Sequence, residues 1–250
     1  MKNIILSGLA LLCFIGCSIH EIETIEIDQH YSIALSAGGT DSLQMGLNVE
    51  WPVTGLPPVG MQNIQRELIS AIFGINQVSI EIEEVIKSYV AKQEAEYRQN
   101  ANDLKIALQD YPGEGVYSWS EMIEGRFMKP VHEMQSYLIY TYGYTGGAHG
   151  IDSESGYTFS LSNGKRIVEN DLFIQEYKPE LARLLTEQLP KAVSKDVYDM
   201  LFIKSIEPNN NFYIEPDGIT YIYGRYEIGP YASGIVHIRL PWEKMSGILK

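Results

Sequence analysis

Apolar and polar residues change their spacing several times along this chain. Ile4 to Ile15 is an apolar run broken only by Ser7 and Gly8 and preceded by Lys2. It is too short for a permanent membrane helix, which needs roughly 20 apolar residues, and it has the length of a signal-peptide core. Ile19, Ile22, Ile25 and Ile27 then recur among polar residues, as in a tether or the lead-in to a first strand. Tyr31–Leu35 and Leu43–Val53 alternate as strands around a Gly38-Gly39-Thr40-Asp41 turn. Beyond Pro57-Pro58 the period becomes helical: Met61, Ile64, Leu68, Ile69 and Ile72 form a stripe that Gly74 closes. Ser79 is placed to cap a second, long helix reaching about Leu108, with Glu81, Glu83 and Glu84 in the first turns, where the helix dipole favours acid. Ile82, Val85, Ile86, Tyr89 and Val90 give that helix a core face, and its strongly polar half, Gln93–Asp103, is expected on the surface.

After Tyr111-Pro112-Gly113 the alternation returns in Val116–Phe127, Val131–Tyr142 and Ser155–Leu161. Ser162-Asn163-Gly164-Lys165 predicts a tight two-residue hairpin, because Asn-Gly accepts the positive φ angles of such a turn. A helix from about Lys178 to Leu189 is bounded by Pro190, and a second hairpin turns at Pro216-Asp217-Gly218. Ile235–Leu240 is a last strand, and Pro241 begins a short final helix. Strands and helices segregate rather than alternate. The expected class is therefore α+β, with mainly antiparallel sheets packed with helices in two small, tightly associated subdomains.

The segment Leu12-Cys13-Phe14-Ile15-Gly16-Cys17-Ser18 changes this picture. A small residue before Cys17 suits a lipoprotein signal peptidase, which cleaves ahead of a lipid-modified cysteine. Residues 1–16 are accordingly read as the signal and 17–30 as a tether, leaving more than 230 residues for the mature chain. Cys13 departs with the signal, so the only remaining cysteine is lipidated and no disulfide can brace the folded part. Membrane attachment would run through the lipid alone, facing the periplasm or the cell exterior. Ser18 lacks the aspartate that retains some lipoproteins in an inner membrane, which points toward the outer one.

A formal net charge of −13 argues against nucleic acid and anionic lipid as partners and suits a cationic protein. Seventeen tyrosines against seven phenylalanines favour amphipathic contact surfaces or half-exposed strands. Motifs for common chemistry are missing. His20, His30, His132, His149 and His237 show no zinc spacing, and there is no nucleophile elbow, phosphate loop or free cysteine nucleophile. No catalytic residue, metal or cofactor is assigned.

Two segments stand out instead. In Tyr144-Thr145-Gly146-Gly147-Ala148-His149-Gly150, Gly146 and Gly147 permit a sharp reversal or the close approach of another chain. His149 there is either a turn-pinning donor or a general base working with a nearby carboxylate such as Asp152 or Glu154. In Tyr226-Glu227-Ile228-Gly229-Pro230-Tyr231-Ala232-Ser233-Gly234, Pro230 shapes a loop that either presents Tyr226 and Tyr231 for binding or packs them under the last strand.

These two segments, with Asn211-Phe212-Tyr213-Ile214-Glu215-Pro216-Asp217-Gly218 between them, resemble the extracytoplasmic domain of RsiV anti-sigma factors. They also resemble the non-catalytic N-terminal domains of PdaC-type peptidoglycan deacetylases. The likeness runs from about Tyr137 to the C-terminus and extends by layout only to Tyr31–Phe127. It implies an N-terminal α+β subdomain over 31–135 and an RsiV-like one over 136–250. Gly146, Gly147, His149, Asp217 and Gly218 would then be structural motif positions, and Tyr226, Pro230 and Tyr231 binding positions. No sigma-binding segment and no deacetylase domain accompany them. The resemblance therefore implies a stand-alone recognition module of the cell envelope whose partner is lysozyme, another wall-associated protein or a wall glycan. The alternative is an enzyme acting on envelope polysaccharide or peptide through His149.

Overall fold

The computed structural model describes residues 21–76, 81–107 and 117–250, so Cys17 and the Ser79 cap lie outside the described residues. Strands β1 (Glu23–Ala34) and β2 (Ser42–Thr54) pair antiparallel in the register Ile27↔Val49, Tyr31↔Met45 and Ile33↔Leu43. Helices α1 (Pro58–Phe73) and α2 (Ile82–Ala107) follow, then β3 (Trp119–Phe127), β4 (Met134–Tyr144), β5 (Ile151–Ser160) and the two-residue β6 (Arg166–Ile167). These strands form one sheet in chain order, and only β2 and β3 run parallel. A parallel neighbour cannot be reached by a hairpin, and the chain returns to it through both helices.

The side-chain period of two divides this sheet into unlike faces. Leu43, Met45, Leu47, Val49 and Trp51 share a face with Ile123, Tyr137 and Ile139 and pack against Ile64, Leu68 and Val85 of the helices. The opposite face carries Glu26, Glu50, Glu124, Arg126 and Tyr140.

The rest of the chain builds a second core. Helices α3 (Glu169–Leu172), α4 (Lys178–Ala192) and α5 (Lys195–Met200) precede an antiparallel sheet of β7 (Phe212–Glu215), β8 (Gly218–Tyr223) and β9 (Val236–Pro241). Leu181, Leu184, Leu185 and Leu189 of α4 pack in one cluster with Ile219, Tyr221, Ile238 and Leu240. The two bodies meet where β7 crosses β5. A Cβ at Gly156 would collide with the Phe212 carbonyl, so only glycine admits this approach. Asn211 clasps the junction: its Oδ1 accepts from Gly156 N at 2.8 Å and its Nδ2 donates to the Glu154 carbonyl at 3.0 Å. Ile214 N donates to Ser136 Oγ at 2.9 Å, and Ser136 bonds Thr158 on the next strand.

The mixed α+β class is the observed one, and the sheets are antiparallel except at β2–β3. Several boundaries move. The stretch up to residue 30 is strand from Glu23, and Ile22 is already buried, its N–H donating to Gln135 Oε1 at 3.3 Å. A division between residues 135 and 136 falls inside β4, because the six-stranded sheet continues to Ile167. Tyr97, in the polar half of α2, is fully buried against Trp119. Ser160 and Lys165 bracket a four-residue loop, with Gly164 at φ 68°, and not a two-residue turn. Pro190 lies within α4 and not beyond it. Sequence reading missed α5, which Ser194 caps by accepting from Val197 N, and the final helix is a single 3-10 turn, Trp242–Met245.

Candidate functional site

At the far end of β4 the chain reverses through Tyr144–Gly150. Gly146 and Gly147 have φ of 101° and 92°, and a Cβ on either would meet nothing within 4 Å. They are therefore needed for backbone conformation and not for close approach. Tyr144 OH donates to the Gly147 carbonyl at 3.0 Å and closes the turn.

His149 is exposed at the end of this turn. Its Nδ1 lies 2.9 Å from the Gly150 carbonyl, which can only accept, so Nδ1 carries the proton and Nε2 the lone pair of the neutral ring. Its ring stacks on Tyr231 with centroids 4.0 Å apart and planes at 29°. Tyr231 OH donates to the same Gly150 carbonyl at 2.9 Å. The Arg225 guanidinium carbon lies 4.2 Å from the Tyr231 ring centre, at cation–π distance. Arg225 grips both oxygens of Asp152, with Nη2 3.1 Å from Oδ2, and donates through Nη1 to the Tyr231 carbonyl at 2.6 Å. That grip is the main reason the Asp152 carboxyl is held below the ordinary aspartate range, and it raises Arg225 in turn.

The 224–234 loop is built outward from Glu227. One Glu227 oxygen accepts from Gly224 N at 2.7 Å and the other from Asn209 Nδ2 at 2.8 Å. This pins a turn in which Tyr226 takes φ 64°, rare for a residue with a Cβ. The Tyr226 ring stands exposed, 5.9 Å from that of Tyr231. Ile228 anchors the loop from beneath, and Gly229 is buried where a Cβ would come within 2.7 Å of Leu201 and Ser233. Pro230 is half-buried and starts the 3-10 turn Tyr231–Ser233, its carbonyl accepting from Ser233 Oγ at 2.6 Å. Tyr231 packs on His149 and Arg225 and not under the last strand.

Beside these rings the outer face of the larger sheet forms a cleft of about 740 Å³, lined by Glu26, Glu50, Glu124 and Glu154 with Arg126 and Tyr140. Burial raises the pKa of Tyr140, with further upward contributions from the negative charges of Asp152 and Glu124. Cleft and ring cluster thus share an edge at β4–β5.

The structure brings His149, Tyr226 and Tyr231 together, with Gly146 and Gly147 shaping the approach. It places Asp217 and Gly218 elsewhere, at the β7–β8 turn. There Asp217 pairs with Arg239, and Gly218 sits where a Cβ would collide with the Leu240 carbonyl. Neither proposed carboxylate serves His149. Asp152 is committed to Arg225, and Glu154 lies 3.0 Å from His237 Nε2. The contacts of the ring are the Gly150 carbonyl and the Tyr231 face. Sequence reading missed Arg225 and weighed His237 only for zinc spacing; their partners lie 73 and 83 positions away. Among the described residues no three His, Cys, Asp or Glu side chains converge to hold a metal, and no helix is long and apolar enough to cross a membrane.

Residues 170–243 match the family described as "Protein of unknown function (DUF3298)". No curated protein matches the chain. The structure is similar to the crystal structure of a DUF3298 family member from Bacteroides fragilis. That likeness has 27% identity, covers 93% of this chain and 95% of the other, and gives a TM-score of 0.83. A DUF3298 family protein from Pseudomonas aeruginosa shares the fold alone, with 14% identity, 93% and 96% coverage and a TM-score of 0.65. The match to the DUF3298 model at residues 170–243 thus lies within a fold that is similar to two solved proteins of that family along nearly their whole length.

Proposed function

We propose that this chain is a lipid-anchored binding module of the bacterial envelope, tethered through Cys17 and related to the RsiV-type recognition domains. Its leading partner is a cationic wall-associated protein such as lysozyme. The observation that carries this reading is the exposed Tyr226 ring on a pinned loop, next to the Tyr231–His149–Arg225 stack and the acidic cleft. Rigid tyrosines supply large contact area at little conformational entropy, and interfaces are enriched in them. Carboxylates beside them would steer a basic partner and leave a marked salt dependence.

Titration calorimetry of the mature chain against several lysozymes tests this. Saturable binding at low ionic strength that weakens as salt is added is the expected result. Absence of heat and of complex with all of them at low salt would refute the reading. Extraction of the native protein with membranes, abolished by Cys17→Ala, tests the anchor.

A further inference from the structure

From the end of α5 to Glu207 the chain turns inward at Leu201 and Ile206 and is exposed between them. Leu201 is buried against Gly229, whereas Met200, Phe202 and Ile203 face solvent, Phe202 with 69% of its surface exposed. A large exposed aromatic beside two aliphatic residues is an unusual feature on an acidic protein. It is not a frayed end. Phe202 N and Ile203 N both donate to the Ile228 carbonyl, at 3.0 and 3.1 Å, so the tip is fastened to the loop that carries Tyr226.

We propose that Phe202 and Ile203 are the apolar anchor of the same binding surface. The partner they fit is a cationic protein with an apolar recess bordered by basic side chains. This rests on the binding reading above and adds to it where the hydrophobic contact is made and what shape receives it. Ile228 is three positions on from Arg225, at most about 11 Å of chain. Arg225 is bonded directly to Asp152, two strand positions or about 7 Å from Glu154 at the cleft. The tip therefore adjoins the rings, and the rings adjoin the Glu154 rim of the cleft, within the span of one standard interface of roughly 800 Å² per partner. The recess takes the Phe202 tip, and its basic border meets the cleft, where four glutamates face one arginine.

Charge separates this partner from the other occupants. A lipid surface would call for basic residues around the tip. Here Asp196, Asp199 and Glu207 outnumber Lys195 and Lys204, and Lys204 lies over the Tyr198 ring. A second copy would set two acidic surfaces against each other.

The test is calorimetry at low salt with the wild-type chain, Phe202→Ser and Ile203→Ser, using lysozyme as the recessed cationic probe and poly-lysine as a cation without a recess. Each substitution should weaken lysozyme binding by roughly tenfold or more, as expected of a central apolar contact, and leave poly-lysine binding and the melting temperature unchanged. Wild-type binding with undiminished binding by both variants would overturn the anchor and leave the module reading standing. Absence of wild-type binding would overturn both. If Phe202→Ser instead abolished co-sedimentation with neutral phosphatidylcholine vesicles and spared lysozyme, the surface would be one for lipid and the proposal would fall.

Discussion

Tyr226 holds a backbone conformation that costs a residue with a Cβ about 1 kcal/mol or more, and it keeps its ring in water. Both features are unfavourable for folding and useful for presentation, so stability and binding should separate there. Tyr226→Gly is expected to be neutral or stabilising by up to about 1 kcal/mol in urea denaturation, while weakening lysozyme binding in calorimetry by roughly tenfold. Parallel loss of both would mean the ring supports the fold. Arg225 and Asp152 behave differently, because their pairing orders the loop. Asp152 has a lowered folded pKa, so its contribution is present above the ordinary aspartate value near 3.9 and is lost as pH falls through the lower folded value. Wild type should therefore exceed Arg225→Gln in stability by a constant margin from neutrality to about pH 4, and the margin should shrink below that. Urea melts at pH 7, 4 and 3 would show it. A margin that grew on acidification would contradict the assignment.

Among the secondary elements, the junction between the two sheets rests on few atoms. Ser136 receives Ile214 N–H in a buried setting, and Ser136→Ala leaves that donor without an acceptor, at a cost of about 1–3 kcal/mol measurable by denaturant unfolding. Gly156→Ala should be worse still, because the Phe212 backbone has to retreat and the Asn211 clasp loosens with it. The strands themselves were legible in the sequence. Leu43, Met45, Leu47, Val49 and Trp51 alternate because one face of β2 meets helices and the other faces water. Burial in α2 was less legible: Tyr97 continues the face of Ile82, Ile86 and Tyr89, but the charged residues around it mask the stripe that packs it against Trp119. Helix α5 is too short to carry a period at all. For the candidate site, the glycines, the proline and the tyrosines could be found by local chain geometry. What makes them one surface, the grip of Arg225 on Asp152 and the shared Gly150 carbonyl, pairs residues far apart in the chain and leaves no spacing to read.

At the scale of the molecule, both cysteines of the sequence lie in its first seventeen residues, so the two cores hold without a covalent brace. Thermal unfolding should be the same with and without a reducing agent; a reductant-dependent melting temperature would mean that disulfide-linked dimers form through Cys13 or Cys17. The net charge of −13 is spread over a fold that also carries local surface pairs, as Arg183 makes with Glu180 and Glu187. Such exposed pairs add little stability. The chain's charge bears on encounter with a partner more than on folding, and the association rate with lysozyme should fall steeply between low and physiological salt while the dissociation rate changes little.

The early start of β1 has a consequence for how such a domain would stand on a membrane. With Cys17 acylated, the leash to Ile22, where the chain is already buried and hydrogen-bonded, is five residues long and reaches at most about 18 Å. A domain on so short a leash cannot sweep the space above the lipid. On such an anchor it would stand within one protein diameter of the headgroups with its swivel confined, and would meet whatever arrived there. Reach would then be a property of the partner's mobility, and lengthening the leash with a flexible insert after Ser18 should widen the zone guarded without altering affinity in solution.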